Sequence, residues 1–246
     1  MWQDYEASYG RALQDQEFLA WRESGARQKA QNIARVCRGI EAASLIEIGC
    51  GTGAVLRRLQ AMRFAREYCC ADVSLSAVRY TLDSWPALAR RAVVGQADAL
   101  PFPDGAFSLA VLSHVIEHLD DPGSAVREAA RIARFVVVEV PLEKVFGNFV
   151  RTRAHSRPYP SLAEAGHVQY WSARSIARFL RVDAGMEILD RHSDLLPEGP
   201  GAGGEPVRGR KALVKRALRS TLPAAIYSRL LTTHAVFLCR RSGSRP

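Results

Sequence analysis

Residues 45–56 read LIEIGCGTGAVL: an apolar run, then Gly49, Gly51 and Gly53 on alternate positions, then a second apolar run at helical spacing. This pattern predicts a strand, a tight turn and a helix. Glycines at such a turn remove Cβ atoms, so a ligand can lie against the backbone while the first helical N–H groups face an anionic group. About twenty residues further on, a second predicted strand ends in Asp72, where a carboxylate can accept hydrogen bonds from ribose hydroxyls. The loop alone leaves two nucleotide chemistries open, because GCGTGA also fits the loose dinucleotide pattern with Ala54 as its last member.

From residue 44 onward short apolar runs alternate with helical segments, the pattern of βαβ units and a parallel sheet. Strands are predicted at 44–48, 67–72, 92–97, 107–113 and 135–140, with helices at 54–65, 74–89 and 123–133. Residues 1–43 read as a helical cap and 44–246 as one α/β domain. Past Pro141 a stretch at 141–170, rich in arginine and aromatic residues, reads as a lid; Arg151, Arg153, Arg157 and Tyr159 in it could meet an acidic acceptor. A helix at 172–183 with Ser172 as N-cap, a strand at 186–195, a basic helical insertion at 198–232 and a last strand at 234–240 complete the chain.

GQADALPFPDGAFSLAVLSHVIEHLDDP at 95–122 resembles the region after the third strand of class I S-adenosylmethionine-dependent methyltransferases, especially the small-molecule group called type 11. The resemblance runs from about Ser44 to Val140, with a weaker echo at 166–189. It implies a Rossmann-like sheet of seven strands, mostly parallel, with an antiparallel last strand inserted beside the fifth and helices on both faces. It implies S-adenosylmethionine as cofactor, with Gly49, Cys50, Gly51 and Gly53 along the methionine part and Glu47 near its amino group. Asp72 would hold the ribose hydroxyls, Val73 would flank the adenine, and Asp98 and Ala99 would meet the adenine amino group. Ser113 and His114 would stand where acceptor and sulfonium meet. Related enzymes often carry a histidine where His167 stands, so His114 and His167 are the catalytic candidates. No metal is expected, since the E-x-x-E-H pattern that binds a divalent ion in ubiquinone-pathway O-methyltransferases begins here with His114.

The expected activity is methyl transfer to oxygen or nitrogen of a small molecule, such as a lipid-linked, glycosylated or phenolic metabolite. Alternatives are a scaffold of the same fold that binds the cofactor without catalysis, and a nucleic-acid methyltransferase. A nicotinamide oxidoreductase lacks its lysine–tyrosine arrangement. The net charge of +9 does not make nucleic acid the expected partner: ten of the 34 Lys and Arg fall after residue 206, where there is no Asp or Glu. That basic segment, at 207–222, could instead dock on an anionic membrane surface. Five scattered cysteines without CxxC spacing suggest neither a disulfide framework nor a zinc ribbon. With no signal peptide and no membrane-spanning run, a cytoplasmic location is expected, and oligomeric state is not legible.

Overall fold

Runs such as LIEI, LAVLS and VVVEV bury both faces of a strand, and they pair into one seven-stranded sheet. The computed structural model describes residues 2–88, 91–142, 166–194 and 234–243. Its strands are β1 (Ala42–Ile48), β2 (Ala65–Asp72), β3 (Ala92–Val94), β4 (Phe107–Ser113), β5 (Ala133–Pro141), β6 (Met186–Asp194) and β7 (His234–Arg241), in the order β3-β2-β1-β4-β5-β7-β6. β1 to β5 are parallel; β7 lies antiparallel between β5 and β6. The order reverses between β1 and β4, and the crevice beyond the carboxyl ends of such strands is where open α/β sheets bind ligands.

Period-two alternation divides the core. Ile46, Ile48, Ala110, Leu112, Val136, Val138 and Phe237 pack on one face beneath α5 (Pro122–Ile132) and α6 (Ala173–Val182). Leu45, Leu109, Val111, Val137, Val236 and Leu238 pack on the other with α3 (Ala54–Ala61). The N-terminal segment forms α1 (Trp2–Ala12) and α2 (Gln16–Val36), and α2 buries Ala26, Ala30, Ile33 and Val36 in that second cluster. α1 lies against α4 (Leu75–Ser84).

Boundaries depart from expectation for local reasons. α3 stops at Ala61 because Arg63 takes a left-handed backbone (φ 53°), so β2 begins at Ala65. α4 stops at Ser84, two residues before Pro86, and a 3-10 turn follows over Pro86–Leu88. β3 ends at Val94, where Gly95 N–H donates to the carbonyl of Asp72 (2.9 Å). Ser172 caps α6 in a reciprocal capping box with Ser175. Most of the expected lid, with Arg151, Arg153, Arg157 and Tyr159, and the basic insertion lie outside the described residues. Among the described residues no helix is long and apolar enough to cross a membrane.

Candidate cofactor and catalytic site

The glycine loop leaves β1 and is tied to β2. Gly49 and Cys50 N–H both donate to the carbonyl of Ala71 (2.8 and 3.1 Å), and Gly51 N–H donates to Asp72 Oδ2 (2.8 Å). Asp72 Oδ1 accepts from Ser74 N–H (2.9 Å), so the carboxylate joins the loop to the start of α4. Gly49, Gly51 and Gly53 all have positive φ (72°, 56° and 67°). Thr81 on α4 donates its hydroxyl to the carbonyl of Gly51 (3.0 Å). Val73, half-buried, follows Asp72 at the strand end.

Period two also brings polar groups together. Glu47, Ser113 and Glu139 sit two positions beyond Leu45, Val111 and Val137, on the face covered by α2. Ser113 Oγ donates to Glu139 Oε2 (2.6 Å). Glu47 Oε2 accepts from Leu56 N–H (3.1 Å), so a side chain takes one of the helical amides expected to face a ligand. A cavity of about 110 Å³ lies above them, lined by Arg22, Lys29, Glu47, Cys50, Ser113, His114 and His234 among others. Burial lowers the Lys29 ammonium to about 8, against the opposing pull of Glu139, Glu117 and Glu47. Burial pushes the Glu47 carboxyl up to about 8, although Arg22, Lys29 and the Leu56 N–H favour its charged form.

The raised Glu47 carboxyl has a pH consequence. The unfolded chain releases that proton near 4.5, whereas the folded chain holds it to about 8, so stability falls as pH rises through that window. Each tenfold difference in proton affinity between the two states is worth about 1.4 kcal/mol, so the loss across the window amounts to a few kcal/mol. In Glu47→Gln this decline is expected to disappear. Urea midpoints at pH 5, 6.5 and 8 for both proteins measure it; parallel curves would mean that Glu47 ionises normally.

His114, just beyond β4, has φ 59°, an uncommon backbone for a residue with a side chain. Its N–H donates to the carbonyl of Glu139 (3.0 Å), its Nδ1 stands 3.5 Å from Glu117 Oε1, and its ring stacks on His234 at 4.9 Å. The buried Nε2 has no hydrogen-bond partner among the described residues. Burial holds His114 well below the usual imidazole range, and the charges of Lys29 and Arg22 and the His234 and His118 rings act in the same direction. Burial likewise brings His234 down to about 3.

Other expected site residues lie apart. His167 does not line the cavity; its ring meets His118 edge to face at 4.7 Å. The nitrogen and oxygen atoms of Glu117, His118 and His167 lie within 4.8 Å of one another, a grouping that a metal ion could bridge. Asp98 and Ala99 are exposed, and Asp98 faces a separate open cavity beside Ser124, Arg127 and Arg131 of α5 and Arg241 of β7. Both follow the end of β3 at Val94, in a turn where Ala99 N–H donates to the carbonyl of Gln96 (3.2 Å). Cys50 is buried, its thiol raised well above its ordinary value by Cys70 and by burial, as suits a packing residue.

α1 and α2 roof the loop with groups that pattern reading did not single out. A Cβ on Gly51 would lie 2.3 Å from Tyr9 Oη and 2.6 Å from Arg22 Nη2. Glu6 accepts from Ser74 Oγ (2.6 Å), Ser76 N–H (3.1 Å) and Ser76 Oγ at the start of α4.

The methyltransferase domain family matches residues 17–190, most of the chain. The chain belongs to that family. Over 98 residues it is 31% identical to ajmaline N-methyltransferase of Rauvolfia serpentina, a match covering 37% of this chain and 32% of that protein. The chain therefore spans about a third of that relative. A SAM-dependent methyltransferase from Aquifex aeolicus superposes with a TM-score of 0.56 at 15% identity, over 94% of this chain and 97% of the other. The [4+2]-cyclase SpnF also has a TM-score of 0.56, at 20% identity, over 87% and 80% of the two chains. Identities this low establish the fold alone, and a cyclase with the same fold puts the burden of specific chemistry on the site. Within this methyltransferase domain, the glycine loop, Asp72 and the β4 end surround the crevice where β1 and β4 part.

Proposed function

We propose that this methyltransferase binds S-adenosylmethionine against the 49–53 loop and transfers its methyl group to an oxygen or nitrogen of a small-molecule acceptor at the end of β4. The observation that carries the acceptor side is His114, which lines the cavity; its buried Nε2 has no hydrogen-bond partner among the described residues, and its Nδ1 stands 3.5 Å from Glu117 Oε1.

The donor set suits this cofactor. Each Asp72 oxygen accepts one backbone N–H, and a carboxylate offers about four acceptor sites, so capacity remains for a ribose diol. Gly51 provides a surface that any Cβ would fill, and Arg22 beside it supplies charge for a carboxylate. At about 110 Å³ the cavity is smaller than the roughly 300–1,000 Å³ of ordinary ligand sites, so admission displaces the Tyr9 and Arg22 tips that rest on the loop.

When bound, the cofactor supplies an electrophilic methyl group on a sulfonium that is its own leaving group. The chain's part is alignment and removal of one proton. Glu117 orients the His114 ring through Nδ1, and Nε2 receives the acceptor proton. Ser113, fixed on Glu139, holds the β4 end in place.

Purified protein with methyl-labelled cofactor and a panel of phenols, amines and glycosylated or lipid-linked metabolites tests the reading by mass spectrometry. Transfer to at least one acceptor is expected, with His114→Ala lowering turnover about 10²–10⁴-fold and leaving cofactor affinity within a few fold. An unaltered rate would remove His114 from proton transfer; cofactor binding with no transfer across the panel would favour the scaffold alternative.

A further inference from the structure

The segment 166–170 is strapped onto the turn that follows β4. Val168 and Gln169 N–H both donate to the carbonyl of Glu117 (2.8 and 3.0 Å). Gln169 Nε2 donates to the carbonyl of Leu119 (3.2 Å), and Tyr170 Oη donates to the carbonyl of His167 (3.1 Å). These bonds place His167 against His118 and Glu117 from a segment some fifty residues away. We propose that Glu117, His118 and His167 form a binding site for a first-row transition-metal dication, separate from the cofactor residues.

Four features converge on this site. The three candidate ligand atoms lie within 4.8 Å of one another, and ligands at about 2.1 Å from a tetrahedral ion stand about 3.4 Å apart, so binding asks only for a small inward shift. The His118 Nδ1 lies 3.2 Å from the carbonyl of Gly166. A carbonyl only accepts, so Nδ1 carries the proton and Nε2 keeps the lone pair a metal needs, with the ring fixed by that outer bond. Glu117 is fully buried, and a dication offsets the cost of burying a carboxylate. His118 and His167 are half-buried, which leaves a route from solvent.

The donor set selects the ion. Two imidazoles and one carboxylate suit Zn²⁺, Co²⁺ or Fe²⁺, whereas Mg²⁺ and Ca²⁺ prefer oxygen ligands. Glu117 and His118 hold the last two positions of the E-x-x-E-H pattern, but the donor set differs from it: His114, at the first position, lines the cavity, and the third candidate ligand, His167, comes from beyond β5.

The test uses tag-free full-length protein, stripped with chelator and titrated with Co²⁺ by visible absorption and with Zn²⁺ by calorimetry. One equivalent is expected to bind at micromolar or tighter affinity, with ligand-field bands for Co²⁺. His167→Ala and His118→Ala should each weaken binding at least tenfold with unchanged circular dichroism, whereas Asp120→Ala, an exposed neighbour, should bind as the parent does. No saturable binding at millimolar Co²⁺, equal binding by both histidine variants, or preference for Mg²⁺ would each overturn the site. Cofactor calorimetry on the stripped protein separates this outcome from the methyl-transfer reading, which does not depend on the ion.

Discussion

Gly49→Ala is expected to lower stability by about 2–5 kcal/mol, more than most single substitutions in this fold. Gly49 has φ 72°, and a side chain in that left-handed region costs about 1–2 kcal/mol. A Cβ there would also lie 2.4 Å from Val115 Cγ2, inside contact distance. Val115 cannot withdraw easily, because it packs with Ile48 and Ile116 and is bracketed by His114 and the turn over Ile116–His118. Forcing an extra methyl into such a place adds about 1–3 kcal/mol. Gly105→Ala is the control: its φ is 66°, but nothing lies within 4 Å of its added Cβ, so only the backbone cost applies. Denaturant midpoints for the two variants distinguish strain from crowding. Equal losses would show that the loop does not press on the β4 turn, and that the turn carrying His114 is positioned by something else.

That coupling explains why the sequence revealed some of the site and hid the rest. The glycine loop is local: strand, turn and helix lie within twelve residues, and every glycine in it adopts the positive φ that calls for glycine. Strand order followed from βαβ alternation and from the resemblance, which placed the antiparallel strand beside β5. The early end of β3 was hidden because it is a matter of pairing with β2, and three residues of strand leave little local signal. Lys29 and Arg22 carried a signal that pattern reading passed over. They fall at helical spacing with Ala26, Ala30 and Ile33, so they are cations on the core-facing stripe of α2. Glu139 within VVVEV is the matching anomaly on β5. Neither reads as functional alone; only the sheet register, which sets Ser113 beside Glu139 and both beneath α2, turns them into one polar floor. His167 was legible as a candidate but not its partner, because the bonds that carry it to Glu117 use backbone groups of both segments.

Asp72→Ala is expected to abolish measurable cofactor binding, with at least a hundredfold loss of affinity by calorimetry. Two costs combine. The carboxylate is the acceptor for Gly51 N–H and Ser74 N–H, and removing it leaves two buried donors unsatisfied at about 1–3 kcal/mol each. Among the described residues, the side-chain hydrogen bond that still ties the loop to α4 is then that of Thr81 to the Gly51 carbonyl, so the surface proposed to receive the cofactor loses its shape as well as its ribose acceptor. Asp72→Asn separates the two. One amide oxygen can still accept one of the two N–H groups, but the other meets an NH₂ group and repels it, and ribose binding loses the charge. An intermediate affinity with near-parent stability is therefore expected for the asparagine variant. Burial already raises the Asp72 carboxyl above its usual value, against the pull of the two N–H groups. If Asp72→Ala folded stably and bound S-adenosylmethionine with parent affinity, Asp72 would be a loop brace only, and the cofactor would have to bind elsewhere in the crevice.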